Sequence, residues 1–136
     1  MIHQVQYYET DMMGIAHHAN YLHWMEEARI DFMDRIGFPY KRMESDGVFS
    51  PVKSLQANYL KPCTFGDQVE ITVGVRDFNG VVITISYDMR VSGDPVFSGT
   101  SEHVFLDRSG RFVRMKRVMP DFCEAISRLA EKQSGT

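Results

Sequence analysis

The sequence predicts an α+β domain in which antiparallel strands wrap one long helix, and three features carry that prediction. From Tyr21, the residues Tyr21, Met25, Ala28, Phe32 and Ile36 recur at ~100° per residue, with Leu22 and Trp24 at the edges, and make one apolar helix face. Further on the period changes to two: Val81, Ile83, Ile85, Tyr87, Met89 and Val91 alternate with Val82, Thr84, Ser86, Asp88 and Arg90, as in an antiparallel strand with one buried face. The order of elements is strand, long helix, about four strands and a short helix, which lacks the strand–helix alternation of a parallel sheet.

Each element has its own local signal. "IHQVQYY" reads as a short opening strand, followed by the loop "ETDMMGIAHHA", whose Gly14 can take a backbone conformation other residues avoid. Asn20 is the expected helix N-cap, with His23, Glu27, Asp31 and Asp34 on the polar face, and Gly37 with Pro39 supplies the stop. The stretch "YKRMESDG" is polar and irregular. Period two begins at Leu55, Ala57 and Tyr59 and sharpens at Val69, Ile71, Val73 and Val75. "NG" at 79–80 predicts a hairpin, "SGDP" at 92–95 the next turn, and 96–107 a further strand. Pro120 and Asp121 open a terminal helix carrying Phe122, Ile126 and Leu129. The end strands would be exposed edges unless another copy covers them, so dimerisation through sheet edges is expected.

Composition narrows the function classes. A chain of 136 residues, 43% hydrophobic and 24% charged, fits a single domain spanning 1–136. No window approaches the ~18 apolar residues of a membrane span, and "MIHQVQYYETD" lacks the basic and apolar segments of a signal peptide, so a cytoplasmic location without an integral membrane segment is expected. Cys63 and Cys123 belong to no cluster and fit two free thiols in a reducing compartment. The net charge of −3 speaks against nucleic acid as a partner. The charge is nevertheless uneven. Residues 1–50 hold eight acids against four bases, and residues 51–117 seven against nine. In "RSGRFVRMKR" (108–117), Arg108, Arg111, Arg114, Lys116 and Arg117 have no acid between them; such a run is either a solvated face or a phosphate contact.

The chemistry concentrates in "YYETDMMGIAHHANYLHWMEEAR", Tyr7 to Arg29. Asp11 lies seven residues before His18, across a glycine loop and ahead of a helix whose first N–H groups have no intrahelical partners. A carboxylate facing helix-start amides is the minimum equipment for acyl transfer to water, since the amides stabilise the oxyanion while the carboxylate attacks or draws a proton from water. The competing reading is an ordinary turn aspartate bonded to its own backbone. A metal is not expected. No HExxH occurs, His17 and His18 are adjacent and should point apart, and His23 lies on the polar helix face. His3 and His103 fall in strand-like runs and read as structural. There is no GxSxG, and neither cysteine has a recognisable histidine partner motif.

These residues resemble the signature of the hotdog-fold thioesterases of the 4-hydroxybenzoyl-CoA thioesterase family, especially the acyl-CoA thioesterases associated with the Tol-Pal system. Asp11, Gly14, His18, Asn20, Tyr21 and "EEAR" (26–29) match that signature, and "NYLKPCTFGDQVEI" (58–71) is similar to the family's strand, proline and Gly-Asp turn. The resemblance implies a hotdog fold with a curved sheet around the helix, and a side-by-side homodimer or a homotetramer of two such dimers. It implies acyl-CoA as the small-molecule substrate, with no cofactor beyond the CoA of the substrate itself. It further implies Asp11 as the catalytic carboxylate, the backbone N–H of His18 as the oxyanion donor with its side chain as a helper, and Gly14 and Tyr21 in the substrate site. Arg108, Arg111 and Arg114 are the expected contacts for the CoA phosphates, with Lys53, Lys61 and Arg76 as weaker candidates. The Met12-Met13 pair departs from the family pattern and is expected to narrow the acyl pocket. Arg29 is expected to be structural, paired with a buried carboxylate or backbone carbonyls, with a binding role as the alternative. An acyl-carrier-protein thioesterase and a non-catalytic acyl-thioester-binding subunit are the alternatives.

Overall fold

A computed structural model describes residues 1–134. Five antiparallel strands form one sheet: β1 (Ile2–Gln4), β2 (Val52–Tyr59), β3 (Gln68–Phe78), β4 (Val82–Val91) and β5 (Asp94–Val104), in the spatial order β1-β3-β4-β5-β2. Between β1 and β2 run α1 (His18–Arg35) and the short α2 (Tyr40–Ser45); α3 (Met115–Val118) and α4 (Pro120–Ser134) close the chain. The helices of the C-terminal end pack on β3 while α1 fills the sheet's interior side, so the order and class expected from the sequence hold.

The clearest sequence pattern gives the clearest strand. In β4, Ile83, Ile85, Tyr87 and Met89 are buried, whereas Val81 lies outside the strand and is exposed. The β3–β4 hairpin closes where "NG" stands: Asn79 Oδ1 accepts from the N–H groups of Val81 and Val82 at 2.9 and 2.7 Å, and Gly80 has φ 91°. The next turn is tighter than expected. Ser92 and Gly93 alone take positive φ, so Asp94 and Pro95 already belong to β5. The opening strand is shorter than "IHQVQYY" suggests, because Tyr7–Glu9 forms a 3-10 turn.

Three further expectations are corrected. The N-cap of α1 is His17 and not Asn20; its Nδ1 accepts from Ala19 N–H at 3.2 Å, and Asn20 sits in the first turn, where its amide donates to the Glu9 carbonyl at 2.8 Å. The buried face of α1 is Tyr21, Trp24, Met25, Ala28, Arg29 and Met33, while Phe32 and Ile36 are half-buried. Trp24 is drawn inside because its indole N–H finds a buried acceptor, the Glu9 carboxylate, at 2.7 Å. The polar stretch after Pro39 is not wholly irregular, since α2 forms there and buries Met43.

The terminal helix buries Phe122, Cys123 and Ile126, and Phe122 meets Phe38, Phe105 and Phe78 at ring separations of 5.3, 5.5 and 6.1 Å. β2 is different. It is an edge strand whose Val52, Leu55 and Tyr59 are exposed, although Leu55, Ala57 and Tyr59 alternate as a buried strand should. An edge with apolar side chains invites a second copy.

Candidate active site

The loop between the 3-10 turn and α1 is a small closed hairpin. Thr10 bridges Ala16, Asp11 N–H donates to the Ile15 carbonyl at 2.9 Å, and Gly14 N–H returns to the Asp11 carbonyl at 3.0 Å. Gly14 has φ 78°, the left-handed conformation that the turn requires. Asp11 Oδ1 accepts from Met13 N–H at 2.8 Å, so the aspartate does form the local turn of the competing reading, an Asx turn. No hydrogen bond engages its Oδ2 among the described residues.

Two anchors fix this hairpin against the helix start. Glu9 is buried, and its carbonyl accepts from His17 N–H and from the Asn20 amide, each at 2.8 Å. Its carboxylate accepts from Gln6 N–H at 2.8 Å and from Trp24 Nε1–H at 2.7 Å, and bonds His3 Nε2 at 2.8 Å. Burial alone would raise the Glu9 pKa, but the bonds from Gln6, His3 and Trp24 outweigh it and hold the carboxyl below its usual value. On the other side, Ala16 N–H donates to the Cys63 carbonyl at 2.7 Å, and Tyr59 Oη–H donates to the His18 carbonyl at 2.9 Å, tying the first turn of α1 to β2.

A groove of about 330 Å³ opens between these anchors, walled by Asp11, Ile15, His18, Tyr21, Tyr59 and Lys61. His18 is the first residue of α1, and the hydrogen bonds around the cap engage the amides of His17, Ala19 and Asn20, leaving its N–H without a partner among the described residues. The rings of His17 and His18 do not point apart as expected; their centroids lie 4.3 Å apart at 30°, since the cap turn stacks them. Tyr21 forms the floor, stacked on Phe97 and edge-on to Tyr59, both at 5.2 Å. Burial, then its hydrogen bond with Cys63, pushes the Tyr21 phenol pKa up, so it stays protonated. The Cys63 thiol is likewise pushed up by burial, and both cysteines are free and buried.

Of the residues singled out in the sequence, Asp11, His18 and Tyr21 come together at this groove. Gly14 shapes the turn without lining the wall. Met12 and Met13 stand fully exposed and do not narrow the groove of this chain. Lys61, ranked behind the arginines, is on the wall, 4.0 Å from Asp94 in an exposed pair. Arg108, Arg111 and Arg114 are elsewhere. Arg108 lies over the Phe49 ring at 5.7 Å, Arg111 closes a tight loop on Asp107, and Arg114 lines a separate hollow with Phe112 and Arg117. The groove sits where Tyr59 pairs with Phe97, whereas the basic run follows Val104, ~23 Å away at ~3.3 Å per residue along β5. No three of the His, Cys, Asp or Glu side chains among the described residues are grouped to hold a metal ion.

Glu9 was not singled out by sequence reasoning. Its partners lie at His3 and Trp24, separations that no local pattern reports, although a lone acid between a tyrosine pair and "TD" is the available signal.

Residues 5–126 match the profile of the thioesterase-like superfamily. Over 121 residues the chain is 36% identical to YneP of Bacillus subtilis, a proposed acyl-CoA thioesterase, covering 88% of each chain. It is 30% identical over 82 residues to the acyl-CoA thioesterase YbgC of Helicobacter pylori, covering 60% of this chain and 59% of that one. The solved DHNA-CoA thioesterase of Staphylococcus aureus superposes with a TM-score of 0.94 at 30% identity, covering 100% of this chain and 93% of the other. With the long helix, the five-stranded antiparallel sheet and a match over nearly its whole length, the chain belongs to the thioesterase-like superfamily and is a hotdog-fold thioesterase.

Proposed function

We propose that this thioesterase hydrolyses acyl-CoA to free acid and CoA in the cytoplasm, with Asp11 as the catalytic carboxylate and the His18 N–H as oxyanion donor. The observation that carries the reading is that Asp11 and the first residue of a helix of 18 residues line one and the same groove. A thioester carbonyl between them has a carboxylate on one side and an N–H with the positive end of the helix dipole on the other. The Asx bond to Met13 holds one carboxylate oxygen and aims the second, which attacks the carbonyl carbon or takes the proton of an attacking water. The His18 ring sits beside the same carbonyl as helper, and Tyr21, kept neutral, forms the floor beneath the acyl carbons.

A dimer or tetramer suits this site better than a monomer. If a second copy pairs its β2 antiparallel to this one, its Val52 end, which leads to the basic run, falls beside the Tyr59 end that holds the groove. Arg108, Arg111 and Arg114 would then meet the CoA phosphates across the interface, with Lys61 contributing from within the groove. A monomer at micromolar concentration in sedimentation equilibrium would sink this arrangement. The CoA thioesterases among the relatives support CoA over a carrier protein as the thiol.

The decisive experiment is Asp11→Asn. Asparagine retains an oxygen for Met13 N–H but cannot serve as base or nucleophile, so kcat should fall by at least about a hundredfold with little change in Tm. A less stable protein with wild-type kcat would refute the reading. Label from ¹⁸O-water found in Asp11 after a single turnover identifies attack by Asp11, because it enters only when water opens the resulting mixed anhydride at the aspartyl carbonyl.

A further inference from the structure

A second cavity, about 250 Å³, is lined by residues of the same two elements as the Asp11 groove, α1 and β2, and by residues of β4 and β5. Tyr21 and Tyr59 line the first groove; Leu22 and Met25 on the helix and Leu55 on β2 line the second, Met25 one turn from Tyr21 and Leu55 four residues from Tyr59 along the same elements. Its walls are apolar, but its floor is not. Tyr87, Ser101 and His103 occupy inward strand positions of the kind that Ile83, Ile85 and Met89 fill elsewhere. They form one row, with Tyr87 Oη 2.8 Å from Ser101 Oγ and Ser101 Oγ 2.7 Å from His103 Nε2. His103 is 1% exposed, and its Nδ1 lies near the Ser50 backbone without a proper hydrogen bond to it or to any other described group. Burial, reinforced by the charge of Arg29, pushes its pKa down to about 4, so the ring is neutral.

Arg29 completes the floor. It is 6% exposed, and the expected buried carboxylate is not there: among the described residues its guanidinium has no ion pair or hydrogen bond and only stacks on the Tyr40 ring at 5.0 Å. Glu26 and His23 are exposed at the mouth, and Glu26 is outside ion-pair range of Arg29. A buried charge without a counter-ion is expensive, and a cation–π contact offsets only part of that. An unpaired guanidinium on a cavity floor beside neutral hydrogen-bonding groups is a receptor for a carboxylate.

Resting on the acyl-CoA reading, we propose that this cavity holds the far end of the acyl group and that Arg29 selects acyl groups ending in a carboxylate, the mono-CoA thioesters of α,ω-dicarboxylic acids. Arg29 lies ~16 Å along the helix axis from His18, and helical side chains lean back toward the N-terminus, which shortens the span an acyl chain must cross. With His103 donating from Nε2 to Ser101 and Ser101 to Tyr87, the Tyr87 hydroxyl proton is left to bond the carboxylate.

The test compares kcat/KM of the wild type on pairs matched in carbon number: adipoyl-CoA with hexanoyl-CoA, suberoyl-CoA with octanoyl-CoA, and sebacoyl-CoA with decanoyl-CoA. The expected result is a preference of about tenfold or more for the diacid at one length, carried by KM. Arg29→Gln should bring the diacid down to the level of its monoacid partner, and Arg29→Lys should keep part of the preference. The absence of any preference in the wild type would overturn the proposal, as would an Arg29→Gln variant that lowers both members equally. Because the wild-type comparison needs no variant, misfolding of Arg29→Gln does not shield the proposal. If no thioester of either series is hydrolysed, the acyl-CoA reading fails separately. Calorimetric titration with suberate then decides: binding that Arg29→Gln abolishes supports the carboxylate site, and no binding overturns it.

Discussion

Replacing Glu9 with glutamine tests whether the catalytic loop is hung from a buried carboxylate. Oε1 of Glu9 serves both Gln6 N–H and His3 Nε2, and Oε2 serves Trp24 Nε1–H. Glutamine offers one oxygen. If that oxygen keeps Gln6 and His3, the amide NH₂ faces the indole N–H, and two donors meet in a buried site. An unsatisfied buried donor costs about 1–3 kcal/mol, and the two surviving bonds lose their charge assistance, so the expected loss is about 3 kcal/mol. For a chain of this length that is a fall in Tm of roughly 10 °C. The pH dependence has a definite sign. The carboxyl titrates below its usual value of 4.5 in the folded chain, so its contribution is complete above that value and disappears as pH falls through the lower, folded one. Urea unfolding of both proteins at pH 7 and pH 3.5 gives the numbers, with the gap narrowing in acid. A variant within about 0.5 kcal/mol of wild type at pH 7 would refute the reasoning, since surface substitutions move stability by no more than that.

Three further predictions follow from other parts of the molecule. His103 has a folded pKa of about 4 against 6.5 unfolded, so stability should decline by about 3 kcal/mol as pH drops between those values, and His103→Gln should flatten that decline in urea titrations; equal slopes would count against it. A Cβ at Gly99 would meet the Gln56 carbonyl oxygen at 2.8 Å and the Phe97 ring at 3.0 Å, so Gly99→Ala should splay β2 from β5 and lose about 1–3 kcal/mol by denaturation, whereas an unchanged midpoint would contradict the clash. Neutralising Arg111 and Arg114 together should raise KM for acyl-CoA with kcat nearly unchanged; an unmoved KM would return the basic run to the solvated surface.

What could be read from the sequence was what repeats. β4 announced itself because four successive inward positions, Ile83, Ile85, Tyr87 and Met89, share one face, and the terminal helix because Pro120 and the Phe122–Ile126 spacing agree. Single-residue decisions made by distant partners were not legible. His17 caps α1 through a ring nitrogen, which the usual list of hydroxyl and amide caps does not include, and this displaced the helix start by three residues. Periodicity placed Trp24 at the edge of the apolar face, and only the buried Glu9, fifteen residues earlier, explains why it turns inward. β2 misled in the opposite sense: its alternation is real, but its apolar side chains are exposed in a single chain, as an edge awaiting a second copy would be. Arg29 is the converse case, where the sequence marked a charge on an apolar face and the expected counter-ion is missing.

The two readings of Asp11 that residue types set against each other are compatible in space. An Asx turn needs one acceptor oxygen, and general-base or nucleophilic chemistry needs the other, so a carboxylate that does both is better oriented than one free to rotate. Met13 N–H holds Oδ1 at 2.8 Å, and the hairpin is clamped on one side by the Glu9 carbonyl and on the other by the Cys63 carbonyl. The turn thereby does part of the work of orientation before any substrate arrives, which is where enzymes gain rate by positioning. The same division explains why asparagine is the informative substitution. It leaves the Oδ1 role intact and removes only the charge, whereas alanine would lose the turn and the chemistry together and could not tell one from the other.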